Sequence, residues 1–142
     1  TYSAVDGTPA DFHLVHLGAR AQGGAALVFT EMTHVSREAR ITPGCTGMYL
    51  GSHVAGWKRI VDFVHGATPA KIALQIGHAG RKGSSGRPWE GGAQMAAEAG
   101  GWPTLAPSAL SIHPHEQPPR ALTASQMELL RQQFIETVRR LA

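Results

Sequence analysis

One short stretch of the sequence gathers side chains that can bind and orient a small molecule. The decapeptide QIGHAGRKGS carries a carboxamide at Gln75, an imidazole at His78 and a guanidinium at Arg81. It begins at the end of the apolar run KIALQI, which is typical of a buried strand. In sheets of parallel strands, ligands bind at the carboxyl ends of the strands. The pattern therefore predicts a binding site where this strand ends.

Gln75 has the most specific chemistry of this group. A carboxamide donates and accepts hydrogen bonds together, which suits a heterocycle that presents adjacent N–H and C=O groups. Flavin and pteridine rings have such an edge. The alternative is a Gln75 side chain that binds a neighbouring backbone group, and the residue types alone leave both interpretations open.

His78 and Arg81 have two possible roles. They can bind an anion, or they can order the long loop that follows the strand. Arg81 is also a candidate to pair with Glu31, which ends the preceding apolar run, AALVFTE. Neither the phosphate-binding G-x-x-x-x-G-K-[ST] motif nor the dinucleotide motif G-x-G-x-x-G occurs in the chain.

Apolar patterning divides the chain into alternating helices and strands. The sequence predicts helices from Thr8 to Gln22, over about 53–65 and from Thr123 to the end of the chain, with buried strands at 25–31 and 71–76. Such alternation implies βα units and a parallel sheet. A doubly wound sheet and a (β/α)₈ barrel both satisfy it. Residues 77–121 lack periodicity and are predicted to form a long loop on the active-site side of the sheet.

Composition excludes several classes of protein. The chain has 142 residues, 42% of them hydrophobic, and a formal net charge of only +3. Its basic residues are spread along the chain, which argues against a nucleic-acid partner. No apolar run approaches the ~20 residues of a membrane span. The single cysteine, Cys45, excludes an internal disulfide and fits a reducing compartment, so we expect a cytoplasmic protein.

The chain has 8 histidines, so a metal-binding site is an alternative interpretation of its function. His13 and His16 lie one helical turn apart, and His113 and His115 flank a proline. There is no H-E-x-x-H motif, so we expect no metal ligands. A metal-dependent hydrolase barrel is nevertheless one alternative class. A non-enzymatic module whose basic loop contacts anions is another.

Several segments, in this order, resemble the old yellow enzyme family of FMN-dependent oxidoreductases, in particular its bacterial thermophilic-like branch. The segments are YSAVDGTPADFHLVHLGARAQGGAALVFTE, SREARITPG, LQIGHAGRK, RPWEGG, LAPSAL and PRALTASQM. The GGWPTLAPSAL segment also resembles the reductase part of aryl-CoA monooxygenases. An enzyme of that kind, or one like the dienoyl-CoA reductases, is the alternative within this class.

The resemblance implies an α/β fold, a (β/α)₈ TIM barrel with FMN at the carboxyl ends of the strands. A full barrel needs roughly 250 residues. We therefore expect residues 1–142 to be an N-terminal fragment, an incomplete FMN-binding domain that holds about strands two and three with their helices. We expect such a fragment alone neither to hold FMN firmly nor to be active.

The resemblance also assigns roles to individual residues. Gln75 matches the glutamine that binds the pyrimidine edge of the flavin, and Met32 matches a position that touches the flavin. Tyr2 matches a tyrosine that contacts the substrate. His78, Arg81 and Glu31 would support the site. The catalytic His/His or His/Asn pair of the family is expected beyond this chain.

The implied reaction has two halves. NAD(P)H reduces the flavin, and hydride then passes to an electron-poor alkene. The expected partners are therefore small molecules, either an activated alkene or a CoA thioester, and a homo-oligomer is possible. Neither a nucleic acid nor a membrane is expected as a partner.

Overall fold

The computed structural model describes all 142 residues as one α/β unit. Its helices are α1 (Asp11–Gln22), α2 (Gly51–Ala67) and α3 (Ala124–Arg139). Its strands are β1 (Leu27–Phe29), β2 (Thr33–His34), β3 (Lys71–Ala73), β4 (Ile76–Gly77), β5 (Leu105–Ala106) and β6 (Arg120–Ala121). Helices and strands alternate as the sequence predicts. None of the three helices has the length and apolar composition needed to cross a membrane.

The strands form three parallel pairs, β1 with β3, β2 with β4 and β5 with β6. Val28 lies opposite Ile72 in the first pair, and Thr33 lies opposite Ile76 in the second. The partners are thus 44 residues apart in one pair and 43 in the next. One extra residue lies between β1 and β2, which is the signature of a β-bulge.

The hydrophobic core lies between α1, α2 and one face of the β1–β3 pair. Trp57 is buried there, and its indole N–H donates to the Gly47 carbonyl at 3.1 Å. The prediction of two buried strands is wrong, because Leu27 and Phe29 are 50% and 64% exposed and no residue of β3 is fully buried. Side chains alternate along a strand, and within this chain helices cover only the Val28 face. The core consists of Leu17, Ala21, Val28, Met48, Trp57, Ile60, Val64 and Ala70.

The predicted start of α1 is also wrong. The helix begins at Asp11, because Thr8 is held in a turn in which its N–H donates to the Val5 carbonyl at 2.9 Å. The capping role passes to an imidazole, since the Ala10 N–H donates to His13 Nδ1 at 3.0 Å. His13 is thereby occupied as a helix cap.

The other two helices differ from prediction mainly at their ends. α2 is two residues longer than predicted at each end. The predicted cap of α3 is confirmed, because the Gln126 N–H donates to Thr123 Oγ1 and the Thr123 N–H donates to Gln126 Oε1. α3 ends at Arg139, however, so the prediction that it continues to the last residue is wrong.

The segment 77–121 is more ordered than the predicted loop. β5 and β6 pair within it, and three short 3₁₀ turns cover Gly80–Lys82, Pro88–Glu90 and Ala97–Ala99. Arg81 joins two parts of the segment, donating to Ser108 Oγ at 3.0 Å and to the Leu110 carbonyl at 2.9 Å. These bonds hold the segment against the carboxyl end of β4.

A close backbone contact fixes the first residues of the chain. The Ala4 N–H donates to the Gly44 carbonyl at 2.9 Å, and the Gly47 N–H donates to the Gly7 carbonyl at 2.8 Å. A Cβ atom at Gly44 would collide with the Tyr2 carbonyl oxygen. Glycine at position 44 therefore allows the N-terminal segment to lie directly on the loop before α2.

Replacing Gly44 by alanine should destabilise the protein, because the Tyr2 carbonyl group and the Arg87 side chain leave the new methyl no room. We expect a loss of about 1–3 kcal/mol in the free energy of unfolding, measured by urea denaturation. Gly66→Ala in α2 is the matched control, since nothing lies within 4 Å of its Cβ position. That control should be neutral or slightly stabilising. Equal stability of the two variants would contradict the packing described above.

Candidate functional site

Four of the predicted site residues line one cavity. Tyr2, Glu31, Met32 and Gln75 come from three separate segments of the chain and meet around a space of about 250 Å³. The cavity lies where β1 and β3 end. The remaining lining residues are Thr1, Ile41, Cys45 and Thr46.

The β-bulge explains why two successive residues face this cavity. Neighbours in an unbroken strand point to opposite faces, yet Glu31 and Met32 both line the space. At the bulge, the Thr30 hydroxyl takes the place of a backbone carbonyl and accepts the Gln75 N–H at 3.1 Å. The same hydroxyl donates to the Glu31 carbonyl at 2.9 Å. Pairing resumes when the Thr33 N–H donates to the Gln75 carbonyl at 2.7 Å.

Gln75 presents a free carboxamide to the cavity. Its backbone is bonded on both sides, but its side chain is exposed and makes no hydrogen bond within the chain. The alternative interpretation, in which this amide binds a neighbouring backbone group, is therefore not what the structure shows. Both a donor and an acceptor remain available to a ligand.

Met32 occupies space that a glycine leaves open. A Cβ atom at Gly77 would lie 2.5 Å from Met32 Sδ. The first glycine of the GHAGRK motif therefore permits the thioether to lie over β4 beside Gln75. Met32 is only partly buried there and lines the cavity.

The RPWEGG motif holds Tyr2 at the cavity. Arg87 Nε donates to the Tyr2 carbonyl at 3.1 Å, and Arg87 is itself paired with Glu90 at 3.0 Å. The Trp89 ring lies 6.1 Å from the Tyr2 ring, at 59° to it. Tyr2 has a φ of 53°, an unfavourable value for a non-glycine residue. These contacts therefore constrain Tyr2 in a conformation it would not adopt freely.

His78 and Arg81 lie outside the cavity lining. His78 Nδ1 accepts the Gly80 N–H at 2.9 Å, and burial lowers the pKa of this imidazole. Arg81 binds Ser108 and Leu110, so the prediction of an Arg81–Glu31 pair is wrong. Glu31 instead contacts the amino group of Thr1. The two motif residues order the long segment in this structure.

Besides Thr1, sequence patterns did not identify three lining residues, Ile41, Cys45 and Thr46. They lie in the irregular stretch between β2 and α2, where no periodicity marks one face. The resemblance of SREARITPG to the family indicated that this stretch belongs to the site, but it identified no individual lining residue. Thr46 is held by its hydroxyl, which lies 3.1 Å from that of Thr33.

His34 anchors Thr46 from the protein interior. Its Nδ1–H and its backbone N–H both donate to the Thr46 carbonyl, each at 3.0 Å. The ring is fully buried, and Nε2 has no hydrogen-bond partner. Burial lowers the pKa of His34 to about 4, helped by the nearby Arg40 and His78. The imidazole is therefore neutral at physiological pH.

The family model for "NADH:flavin oxidoreductase / NADH oxidase" matches residues 2–141. The chain belongs to this family. An NADH:flavin oxidoreductase of Gibberella zeae is 40% identical over 143 residues, which cover 98% of this chain and 34% of the relative. An NADPH dehydrogenase of Halalkalibacterium halodurans is 35% identical over 122 residues, covering 86% and 31% respectively. The chain thus spans about a third of the length of these curated relatives.

Solved structures show the same fold. Morphinone reductase superposes with a TM-score of 0.79 at 26% identity, over 98% of this chain and 38% of that enzyme. An old yellow enzyme from Pichia sp. gives 0.78 at 23% identity, with 99% and 36% covered. A 2-naphthoyl-CoA reductase gives 0.79 at 25% identity, with 95% and 20% covered. The chain therefore has the fold of part of the old yellow enzyme barrel and does not itself close a barrel.

Membership of this family confirms the expected FMN cofactor and NAD(P)H reductant, which the family uses. It also argues against the two alternative classes of protein, the metal-dependent hydrolase and the non-enzymatic module. The histidines considered as metal ligands have other contacts. His13 caps α1, and the His113 and His115 rings are stacked with centroids 5.6 Å apart. No group of three potential metal ligands occurs in the structure.

The cavity residues fit one edge of a flavin. A free carboxamide offers both hydrogen-bond senses to the N–H and C=O groups of the pyrimidine ring. The cavity, at about 250 Å³, is smaller than the 300–1,000 Å³ of typical cofactor sites. A cavity of this size has room for one edge of a flavin rather than for a whole cofactor.

The buried neutral His34 should make stability depend on pH. Its folded pKa of about 4 lies below the ordinary 6.5, so the unfolded chain binds the proton more readily between these values. Stability should fall as pH decreases from 7 to 4, by roughly 3 kcal/mol from this residue. His34→Gln should remove that part of the slope in urea titrations, whereas the exposed His65→Gln should retain it. An unchanged slope in His34→Gln would refute this assignment.

Proposed function

We propose that the protein carrying this chain is an FMN-dependent NAD(P)H oxidoreductase that reduces activated C=C bonds. The observation that carries the proposal is the unbonded Gln75 carboxamide, which faces a cavity between Met32 and Tyr2. Each of these residues was predicted from the sequence alone to touch flavin or substrate. FMN, when bound, supplies the hydride chemistry that links NAD(P)H to the alkene.

The residues of this chain position the reactants. Gln75 would hold the pyrimidine edge, since its backbone is fixed on both sides by the bulge and its amide is free. Met32 would pack beside the ring at the same wall. Tyr2 would face the substrate, because its backbone is tied to Arg87 while its hydroxyl has no partner in the chain.

No residue of this chain is assigned a catalytic role. The family's His/His or His/Asn pair, which would bind the substrate oxygen, is expected beyond these residues. Donors of that type stabilise the charge that develops on the substrate. We therefore assign two roles to this chain: it orients the flavin, and it forms one wall of the substrate pocket.

A CoA thioester is the second candidate substrate. The observation that favours it is the likeness to 2-naphthoyl-CoA reductase, whose structure contains 2-naphthoyl-CoA. The resemblance of GGWPTLAPSAL to aryl-CoA enzymes points the same way. This alternative keeps the flavin chemistry and changes only the class of molecule that is reduced.

Replacing Gln75 by leucine should weaken FMN binding about tenfold or more, because the ring edge loses its hydrogen bonds. The dissociation constant can be measured by flavin fluorescence in the full protein that contains this chain. Gln22→Leu, at the exposed end of α1, is the matched control, and its side chain also makes no hydrogen bond within the chain. Equal FMN affinity in both variants would remove Gln75 from the flavin site.

The choice of substrate can be decided by kinetics. We expect kcat/KM for a simple activated alkene, such as a cyclic enone, to equal or exceed that for an α,β-unsaturated CoA thioester. A preference of more than about tenfold for the thioester, equivalent to 1.4 kcal/mol, would favour the second candidate. A protein that binds FMN but reduces neither compound with NADH or NADPH would contradict both.

A further inference from the structure

A second cavity, of about 270 Å³, lies within the segment 94–120. None of the residues that line the Gln75 cavity takes part in it. Its lining combines an indole, a carboxamide and a guanidinium, from Trp102, Gln117 and Arg120. These three groups suit a ligand that has both a planar base and an anion.

Arg120 supplies an uncommitted positive charge. Its backbone is fixed in β6, where its N–H donates to the Thr104 carbonyl at 2.9 Å. Its guanidinium forms neither a hydrogen bond nor an ion pair within the chain. A free guanidinium fork at a cavity wall matches the geometry of a phosphate group.

Trp102 supplies a rigid aromatic surface. Its indole N–H donates to the Glu38 carbonyl at 2.9 Å, and its backbone N–H donates to the buried Ser84 hydroxyl at 2.8 Å. The Arg40 guanidinium carbon lies over the ring, 5.4 Å from its centroid. A side chain fixed in this way can stack on a nucleobase without losing further conformational freedom.

Gln117 supplies an amide that can select the base. Gln94 holds its backbone from both sides: Gln94 Oε1 accepts the Gln117 N–H at 2.7 Å, and Gln94 Nε2 donates to the Gln117 carbonyl at 3.0 Å. The side-chain amide of Gln117 makes no hydrogen bond within the chain and lines the cavity. Carboxamides of this kind pair with adenine through two hydrogen bonds.

We propose that this cavity binds a phosphorylated adenosine. Its volume lies just below the 300–1,000 Å³ of typical small-molecule sites, so it suits one nucleoside rather than a whole coenzyme. Two coenzymes contain such a group: NADPH carries adenosine with a 2′-phosphate, and CoA carries adenosine with a 3′-phosphate. The inference rests on the proposed function in one respect only: that function names the molecule that would carry this group, either the reductant or a CoA thioester.

The test is direct binding of 2′,5′-ADP and 3′,5′-ADP, measured by calorimetry on the full protein that contains this chain. Arg120→Gln should weaken binding of the recognised nucleotide about tenfold or more, because one charge-assisted contact is lost. Arg59→Gln is the matched control, since Arg59 pairs with Asp11 on the helical side of the chain. Preference for the 2′ compound assigns the cavity to NADPH, and preference for the 3′ compound assigns it to CoA.

Three results would overturn the proposal. These are no binding of either nucleotide at millimolar concentration, equal affinity of Arg120→Gln and Arg59→Gln, and binding of inorganic pyrophosphate as tight as that of the nucleotides. FMN binding is measured separately from flavin absorbance. A preparation that binds a nucleotide at this cavity but no FMN would refute the proposed function and leave this inference standing.

Discussion

The site depends on one irregularity in the sheet, the bulge between β1 and β2. There a hydroxyl replaces a backbone carbonyl: Thr30 Oγ1 accepts the Gln75 N–H and donates to the Glu31 carbonyl. The extra residue turns both Glu31 and Met32 towards one cavity, and the same bonds fix the backbone beneath the Gln75 amide. Bulges beside active sites commonly re-aim side chains in this way.

The rest of the chain brings a second wall to that cavity. Gly44 lets the N-terminal segment lie against the loop before α2, and Arg87 donates a hydrogen bond to the Tyr2 carbonyl. The RPWEGG motif, which lies more than eighty residues from Tyr2 in sequence, thereby becomes part of the same site. Segments that resemble the family in sequence are thus the ones that meet in space.

Sequence reasoning predicted the features that depend on local patterns. Alternating apolar segments predicted the α/β order, the Thr123–Gln126 spacing predicted the α3 cap, and family motifs predicted four residues that line the cavity. The bulge at Thr30 could not be predicted from local patterns, because a one-residue change in register depends on how the strand pairs with Gln75. The His13 cap and the Arg81–Ser108 bond were missed for the same reason, since each depends on a turn or loop geometry that no periodicity encodes.

The most direct test of this account is a crystal structure of the FMN-loaded protein. The account predicts that the Gln75 carboxamide lies about 3 Å from the pyrimidine edge of the flavin, with Met32 and Tyr2 on the same wall. A flavin bound elsewhere, or a Gln75 amide bonded to the chain while FMN is present, would contradict it.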